Sequence, residues 1–325
     1  MAFIKFNLRN VILLYLLFFI LSCQWNPNQD IVDVDSSTWM NKLDDRVTLT
    51  SLAIPGSHDT CAIYDFLIAT TSAAQDIPLY EQLDRGVRFL DIRISKQKDG
   101  TLGIYHGIKY MYIDFEDVVN ICIDFLKNNP SEFILMMVKE EVFRSSGSGK
   151  SFTDDLYKII SENASYWANP KEWEEHKSYP YPNDISYLRG KILLFRDYTE
   201  SSLGTTPSIN IYNGNRYYWE RKGDSAAVPS GNIKTIEDKW QQVNDYIDNR
   251  SIKNDDGKLY LHSVAAYNSL TFELPNIDNV AKSINPRLIK KLKEENLLLT
   301  KKPLGILMCD KVNPSLITSI YSLNF

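Results

Sequence analysis

Short β-rich apolar runs recur along the chain with amphipathic helical stretches between them, and this alternation narrows the possible folds more than any other feature. The runs are Leu49 to Ile54, Val87 to Ile94, Phe133 to Val138, Ile192 to Phe195, Leu259 to Val264 and Gly305 to Met308, with a weaker one near Ile233 to Ile236. Several are apolar throughout and bounded by turn residues, the pattern of strands buried on both faces of a parallel sheet. Phe115 to Leu126 sets Val118, Ile121, Cys122, Phe125 and Leu126 on one helical stripe and stops at Asn128-Asn129-Pro130. Ile277 to Leu298 and Leu316 to Leu323 are further helices. The alternation continues to the last residues without an internal repeat or long linker, so residues 41–325 read as a single domain, an irregular α/β barrel of the TIM type. Lys150 to Tyr187 and Tyr198 to Gly231 fit the alternation poorly and read as long excursions at the catalytic rim.

The first residues read as a segment removed before folding. Lys5 and Arg9 precede an eleven-residue apolar run from Val11 to Leu21, too short to span a bilayer but of signal-peptide length. The run ends in Ile20-Leu21-Ser22-Cys23, which looks like a bacterial lipobox, so residues 1–22 are expected to be lost and Cys23 acylated. Plain secretion with cleavage nearby is the alternative. Several acyl chains on Cys23 would hold the protein on a bilayer where one would not, with residues 23–40 as a polar tether. Loss of Lys5 and Arg9 takes the formal net charge from −5 to −7. That acidic balance argues against nucleic acid as a partner, because neutralising phosphates requires a basic face. Cys61, Cys122 and Cys309 show no C-x-x-C spacing and are expected as buried free thiols, not as zinc ligands or a redox pair.

Polar residues at the tips of apolar strands carry the chemistry. Leu52-Ala53-Ile54 runs into Pro55-Gly56-Ser57-His58-Asp59-Thr60, bringing an imidazole and a carboxylate to one mouth. In Phe89-Leu90-Asp91-Ile92-Arg93-Ile94, Asp91 and Arg93 share one face while Leu90, Ile92 and Ile94 share the other. Asp99-Gly100 then favours a two-residue type I′ hairpin, from which Leu102 to His106 returns antiparallel. With that turn Lys98 faces Thr101, Arg93 stands opposite His106, and Asp91 is the diagonal neighbour. Two imidazoles with a fixed cation between them suit a phosphodiester cleaved by two proton transfers. One neutral His takes a proton from an attacking hydroxyl, and the other, charged, protonates the leaving oxygen. Arg93 would stabilise the nonbridging oxygens, and Asp91 would raise the pKa of His106 and keep it a donor. No metal or other cofactor is required.

The stretches SLAIPGSHDT, VRFLDIR, IYHG, FILMMVKEE, KILLFR and GILMCDKVN follow one another across residues 48–313. In them the chain resembles the bacterial phosphatidylinositol-specific phospholipases C, which share an X-box domain with the eukaryotic phosphoinositide phospholipases. The resemblance implies a distorted barrel that cuts phosphatidylinositol, or a related glycosyl-inositol anchor, to diacylglycerol and inositol 1,2-cyclic phosphate and slowly hydrolyses the cyclic product. By position it implies that His58 is the general base on the inositol 2-hydroxyl, that Asp310 orients it, and that Asp59 supports Arg93. It also implies inositol contacts for Lys139, Arg196 and Asp238, with Trp240 standing where the family has Tyr and offering its face to the sugar ring. Calcium-dependent relatives carry a carboxylate at the position of Arg93, so the arginine implies a site without metal despite the nearby Glu140, Glu141 and Asp91. The implied partner is a membrane containing phosphatidylinositol, met by an exported monomer.

Two other readings compete. A glycerophosphodiester-type hydrolase would use carboxylate-bound metal on the same barrel and fail under chelation, and a noncatalytic module would bind inositol lipids or sugars without turnover. Ser145 to Ser151 ends like a phosphate-binding loop, but Arg144 stands where its first Gly belongs. His176 reads as a surface residue and His262 as a packed one. Thr60 to Ala74, with Ile63, Tyr64, Phe66, Leu67 and Ile68, is either a core-facing helix or a rim helix dipping into lipid with Tyr217, Tyr218 and Trp219.

Overall fold

Ala53–Ser57 forms the first strand, β1, and all five of its residues are buried, as a strand covered on both faces requires. The structure is a computed structural model. It describes residues 34–65, 73–141, 150–169, 184–197, 219–222, 235–251, 259–267, 276–294 and 303–325, with backbone alone at 150–151, 196–197, 219–222 and 251. After β1 come helix α1 (Leu79–Asp84), strand β2 (Phe89–Lys96), the hairpin of β3 (Leu102–His106) and β4 (Lys109–Asp114), and helix α2 (Phe115–Asn128). Strand β5 (Ile134–Glu140), helix α3 (Lys150–Glu162) and strands β6 (Ile192–Asp197) and β7 (Trp219–Lys222) follow. The chain ends with α4 (Ile236–Ser251), β8 (Leu259–Ser263), α5 (Ile277–Leu292), β9 (Gly305–Cys309) and α6 (Pro314–Tyr321).

Seven strands run parallel in the order β6-β5-β2-β1-β9-β8-β7, so neighbours follow the chain and the first strand pairs with the last. The β1–β9 pairing, from Ala53↔Gly305 to Ser57↔Cys309, is what turns a row of strand–helix units into a barrel. The hairpin is its irregularity. β2 pairs with β1 only at Gly56↔Phe89 and Ser57↔Leu90, and beyond that point β3 takes over antiparallel from Ile94↔Ile104. The early end of β1 therefore leaves room at the mouth for the turn that carries His58 and Asp59.

Four local expectations are corrected. Leu49–Ser51 is a 3-10 turn rather than the start of β1. Of the weak run near Ile233 to Ile236, residues 233–234 lie outside the described residues and Ile236 opens α4. Thr235 Oγ1 accepts a hydrogen bond from Asp238 N (3.0 Å), a cap that favours the helix start. The strand of this region is β7, inside a stretch read as a rim excursion. Thirdly, the β2–β3 turn has three central residues, not two. Gly100 adopts φ 94°, its N–H donates to Gln97 O, and Gln97 N donates to Thr101 O, the arrangement of a turn closed by a left-handed glycine. The register thereby slips by one, to Ser95↔Gly103, so Arg93 and His106 are not ladder partners.

The fourth correction concerns the tether. Trp39 and Met40 are fully buried, and the Trp39 ring stacks on Tyr321 (centroids 5.4 Å apart, planes 9° apart). Met40 N donates to Glu132 Oε2 (3.3 Å), which also receives Arg88 Nε and Nη2 (3.0 and 2.8 Å). Arg88 spends Nη1 on the carbonyls of Leu83 and Val87 (2.7 and 2.8 Å), so the buried pair is fully hydrogen-bonded. The unit that carries the strands therefore runs from Val34, and Trp39 and Met40 belong to its core. Cys61, Cys122 and Cys309 are buried and free, and burial pushes the Cys61 thiol up to about 12. No helix among the described residues is long and apolar enough to cross a membrane.

Candidate active site

The turn after β1 is tied to β2 by a reciprocal set of hydrogen bonds. Asp91 N donates to Thr60 Oγ1 (2.8 Å), Thr60 N to Asp91 O (2.9 Å), and Asp59 N to Asp91 Oδ2 (3.0 Å). These bonds hold Asp59 at φ 43°, a left-handed conformation uncommon outside glycine. On the other side His58 N continues the β1–β9 ladder to Cys309 O (2.9 Å), which sets His58 beside Asp310 at the tip of β9.

Arg93 is the centre of what converges there. Its Nη2 donates to His58 Nε2 (2.7 Å) and to Asp91 Oδ2 (3.0 Å), and its Nε also reaches Asp91 Oδ2 (3.3 Å). Its Nη1 lies 3.1 Å from Asp59 Oδ2 and 3.5 Å from Glu141 Oε1. His58 Nδ1 faces Asp310 Oδ1 at 2.7 Å, and His106 Nε2 lies 3.6 Å from Asp59 Oδ2. All of these groups are buried except His106, which is partly open. Since a carboxylate can only accept and a guanidinium can only donate, this geometry puts the His58 proton on Nδ1 and its lone pair on Nε2. Such an imidazole is a base aimed into the mouth.

The surroundings push the two imidazoles apart. Burial is the largest single influence on His58 and lowers its pKa, as Arg93 does, but the charge and hydrogen bond of Asp310, with a further pull from Asp91, leave the value above the ordinary 6.5. For His106 burial is the largest influence, Asp59 opposes it only in part, and the value ends below 6.5. Burial would raise Asp91, yet Arg93 and then His58 overcome it and bring the carboxyl down to about 2. Glu141 is held above the usual carboxylate range by burial, against the pull of Arg93. The expectation that Asp91 raises the pKa of His106 is thus corrected. Asp91 is occupied by Arg93, and the carboxylate beside His106 is Asp59.

The remaining residues singled out in the sequence divide. Lys139 on β5 stands in register with Arg93, half-buried at the same level of the barrel. Arg196 is in register with Val138, and its side chain lies outside the described residues. Asp238 is exposed in the first turn of α4 and makes no hydrogen bond or ion pair with the Arg93 cluster among the described residues. Trp240 is partly buried. It packs between α4 and α5 with the Arg287 guanidinium 4.5 Å from its ring centroid, and Arg287 is itself forked onto Glu237 (2.8 and 2.9 Å). His262 is buried and stacked on Tyr246 of α4 (4.1 Å, 14°), in the strand–helix layer. Cys23, His176 and residues 145–149 lie outside the described residues. Glu141, which its neighbours in the sequence suggest only as a metal ligand, instead joins the cluster through Arg93. Strand alternation pairs it with Lys139 and not with Glu140, and that periodicity is the signal that finds it.

The family model "Phosphatidylinositol-specific phospholipase C, X domain" matches residues 47–198, from the approach to β1 to the end of β6. A 1-phosphatidylinositol phosphodiesterase of Listeria monocytogenes is 29% identical over 245 residues, covering 74% of this chain and 71% of the relative. One of Staphylococcus aureus is 27% identical over 286 residues, covering 81% and 86%. The solved phosphatidylinositol-specific phospholipase C of Listeria monocytogenes superposes with a TM-score of 0.71 at 25% identity, over 90% of this chain and 100% of that one. A Staphylococcus aureus structure shares the fold with a TM-score of 0.69 at 21% identity, over 90% and 98%. Residues 47–198 thus match the X domain, and similarity to bacterial phosphatidylinositol-specific phospholipases C runs through most of the chain on one shared distorted barrel.

Proposed function

We propose that this protein cleaves phosphatidylinositol to diacylglycerol and inositol 1,2-cyclic phosphate, with His58 as general base and His106 as general acid. The observation that carries this reading is the Arg93 guanidinium wedged between His58 Nε2 and Asp59, whose other neighbour is His106. In the first step the inositol 2-hydroxyl oxygen bonds to phosphorus and gives its proton to His58 Nε2. The bond from phosphorus to the diacylglycerol oxygen breaks, and that oxygen takes the proton of His106. Asp310 fixes the tautomer of His58 and stabilises the imidazolium that forms. Arg93, in a site almost closed to water, carries the charge developing on the nonbridging oxygens. The phosphodiester anion also raises the pKa of His106, which is low in the empty site, and so completes the acid. Hydrolysis of the cyclic product runs the same relay backward, with water in place of the glyceride. Lys139, and Arg196 and Asp238 by their matched positions, are assigned to the inositol hydroxyls.

The carboxylates Asp59, Asp91 and Glu141 direct their charge at Arg93, so the proposed reaction needs no metal. Incubation with phosphatidylinositol in EDTA is expected to yield the cyclic phosphate by phosphorus NMR. Activity lost in EDTA and restored by calcium would move the assignment to the metal-dependent hydrolase, and binding without product to the noncatalytic module.

The membrane is assigned to the rim beside His106. Tyr64, Ile108 and Tyr112 are exposed, and the Tyr64 and Tyr112 rings meet edge to face 5.3 Å apart. Lys109 Nζ lies 4.9 Å from the Tyr112 ring, so the tip of the β3–β4 hairpin offers aromatic bodies and a cation two to six residues from the acid. Residues 66–72, in the segment read as a possible rim helix, lie outside the described residues. Ile108→Asp with Tyr112→Ser is expected to weaken sedimentation with phosphatidylinositol vesicles and to spare cleavage of a soluble inositol phosphodiester. Unchanged sedimentation would remove this surface from the account. Export with acylation at Cys23 completes the reading, and a Cys23→Ser protein that still fractionates with the envelope would contradict the anchor.

A further inference from the structure

We infer that Gln75 is the positioning residue that aligns His58 with Asp310, an inference that rests on the acid–base reading above. Gln75 is fully buried, and its side-chain amide is spent on the backbone of the two turns that carry this pair. Nε2 donates to His58 O (2.7 Å) and to Cys309 O (3.0 Å), while Oε1 accepts from Val312 N (3.1 Å). One planar amide thus grips the base's own carbonyl, the peptide that leads into Asp310 and the Lys311–Val312 peptide just beyond it. The Gln75 backbone is anchored separately, its N–H donating to Ala62 O (3.1 Å), so the amide reaches the pair from a fixed base.

The far side of the Asp310 turn is held in the same way. Lys311 sits at φ 50°, its N–H donates to Ala74 O (2.7 Å), and Asn285 Nδ2 donates to the carbonyls of Asp310 (3.0 Å) and Lys311 (3.3 Å). β1 and β9 are paired only as far as Ser57↔Cys309. Beyond that ladder the 2.7 Å contact between His58 Nδ1 and Asp310 Oδ1 depends on where two irregular turns come to rest. Gln75 bonds to both turns. It faces backbone only, so its part in the reaction is to fix a distance, and misplacement of reacting groups by about 1 Å costs on the order of 10²-fold in rate.

The test is Gln75→Met, which keeps length and volume and removes every hydrogen bond of the amide. Its kcat on phosphatidylinositol is expected to fall roughly 10- to 10²-fold with KM little changed. The His58 titration, followed by NMR of labelled histidine in a chain with only four, is expected to move to lower pH as Asp310 drifts from Nδ1. A folded variant whose His58 midpoint and kcat stay at wild-type values overturns the inference. If Gln75→Met does not fold, Asn285→Ala decides. A His58 midpoint displaced to lower pH supports positioning by these amides, and an unmoved one overturns it. Wild-type protein that makes no cyclic phosphate refutes the proposed reaction instead, and leaves the His58 titration still readable.

Discussion

His58→Ala and His106→Ala are each expected to slow formation of cyclic inositol phosphate by about 10²–10⁴-fold while leaving the protein folded. For His58 the reason is the absence of a substitute. Nδ1 is committed to Asp310 and Nε2 faces Arg93, which can only donate, so removing the ring leaves the mouth without a base at that point. For His106 the loss is of the proton that lets the glyceride leave. The two variants should also divide the pH profile of kcat/KM, which is a bell when both groups act. His106→Ala keeps the fall toward acid, where its remaining base becomes protonated, and loses the fall toward alkali. His58→Ala does the reverse. Because the His58 pKa ends above 6.5, the acid-side break of His106→Ala should lie above that value. Wild-type turnover by His58→Ala, or a break well below 6.5 in His106→Ala, would remove His58 from the role of base, and wild-type turnover by His106→Ala would remove His106 from that of acid.

How far the site can be read from the sequence depends on which interaction places each residue. Phe89 to Lys96 alternates so regularly that Asp91 and Arg93 fall on one face, and the structure joins them within 3.0 Å. The barrel follows from the same local logic, since buried parallel strands declare themselves as apolar runs and the order of units leaves few topologies. What escapes is set by contacts distant in sequence or by a single turn residue. Asp99-Gly100 is compatible with a two- or a three-residue loop, and the left-handed Gly100 selects the longer one, which shifts every β2–β3 partner by one. His106 still reaches the cluster, its Nε2 3.6 Å from Asp59 Oδ2, from the end of β3 beyond the last β2–β3 pair at Ile94↔Ile104. Trp39 looks like tether by composition. Its ring is buried because Tyr321, 282 positions away, supplies a flat partner. Trp240 looks like a sugar platform by position, and Arg287 on the next helix claims its face. Gln75 carries no signal at all, since a lone Gln in a polar stretch reads as surface until the carbonyls it bonds are known.

Arg93→Met should have the largest combined effect on activity and stability. With the guanidinium gone, Asp59, Asp91 and Glu141 face a closed mouth without the cation that gathered them, and an arriving phosphodiester adds another negative charge. Loss of one charge-stabilising donor is worth about 10²–10³-fold in rate, and failure of the acid–base pair to align adds to it. Removing one partner of a buried ion pair costs about 3–5 kcal/mol, because the other charge stays buried and unpaired. The sign of the pH dependence separates that cost from simple loss of packing. Asp91 is depressed to about 2 in the folded protein, so its pairing stabilises fully above its unfolded value, near 3.9, and is lost as pH falls through 2. The stability gap between wild type and Arg93→Met in urea should therefore be widest at neutral pH and narrow between about pH 4 and 2. Arg93→Lys should recover part of the stability and little of the rate, since one ammonium cannot reach Asp59, Asp91 and His58 Nε2 together as the planar fork does. A lysine variant as fast as wild type would mean that only positive charge matters at this position. Wild-type turnover by Arg93→Met would mean that even the charge does not, and the transition state would have to be stabilised by some other group.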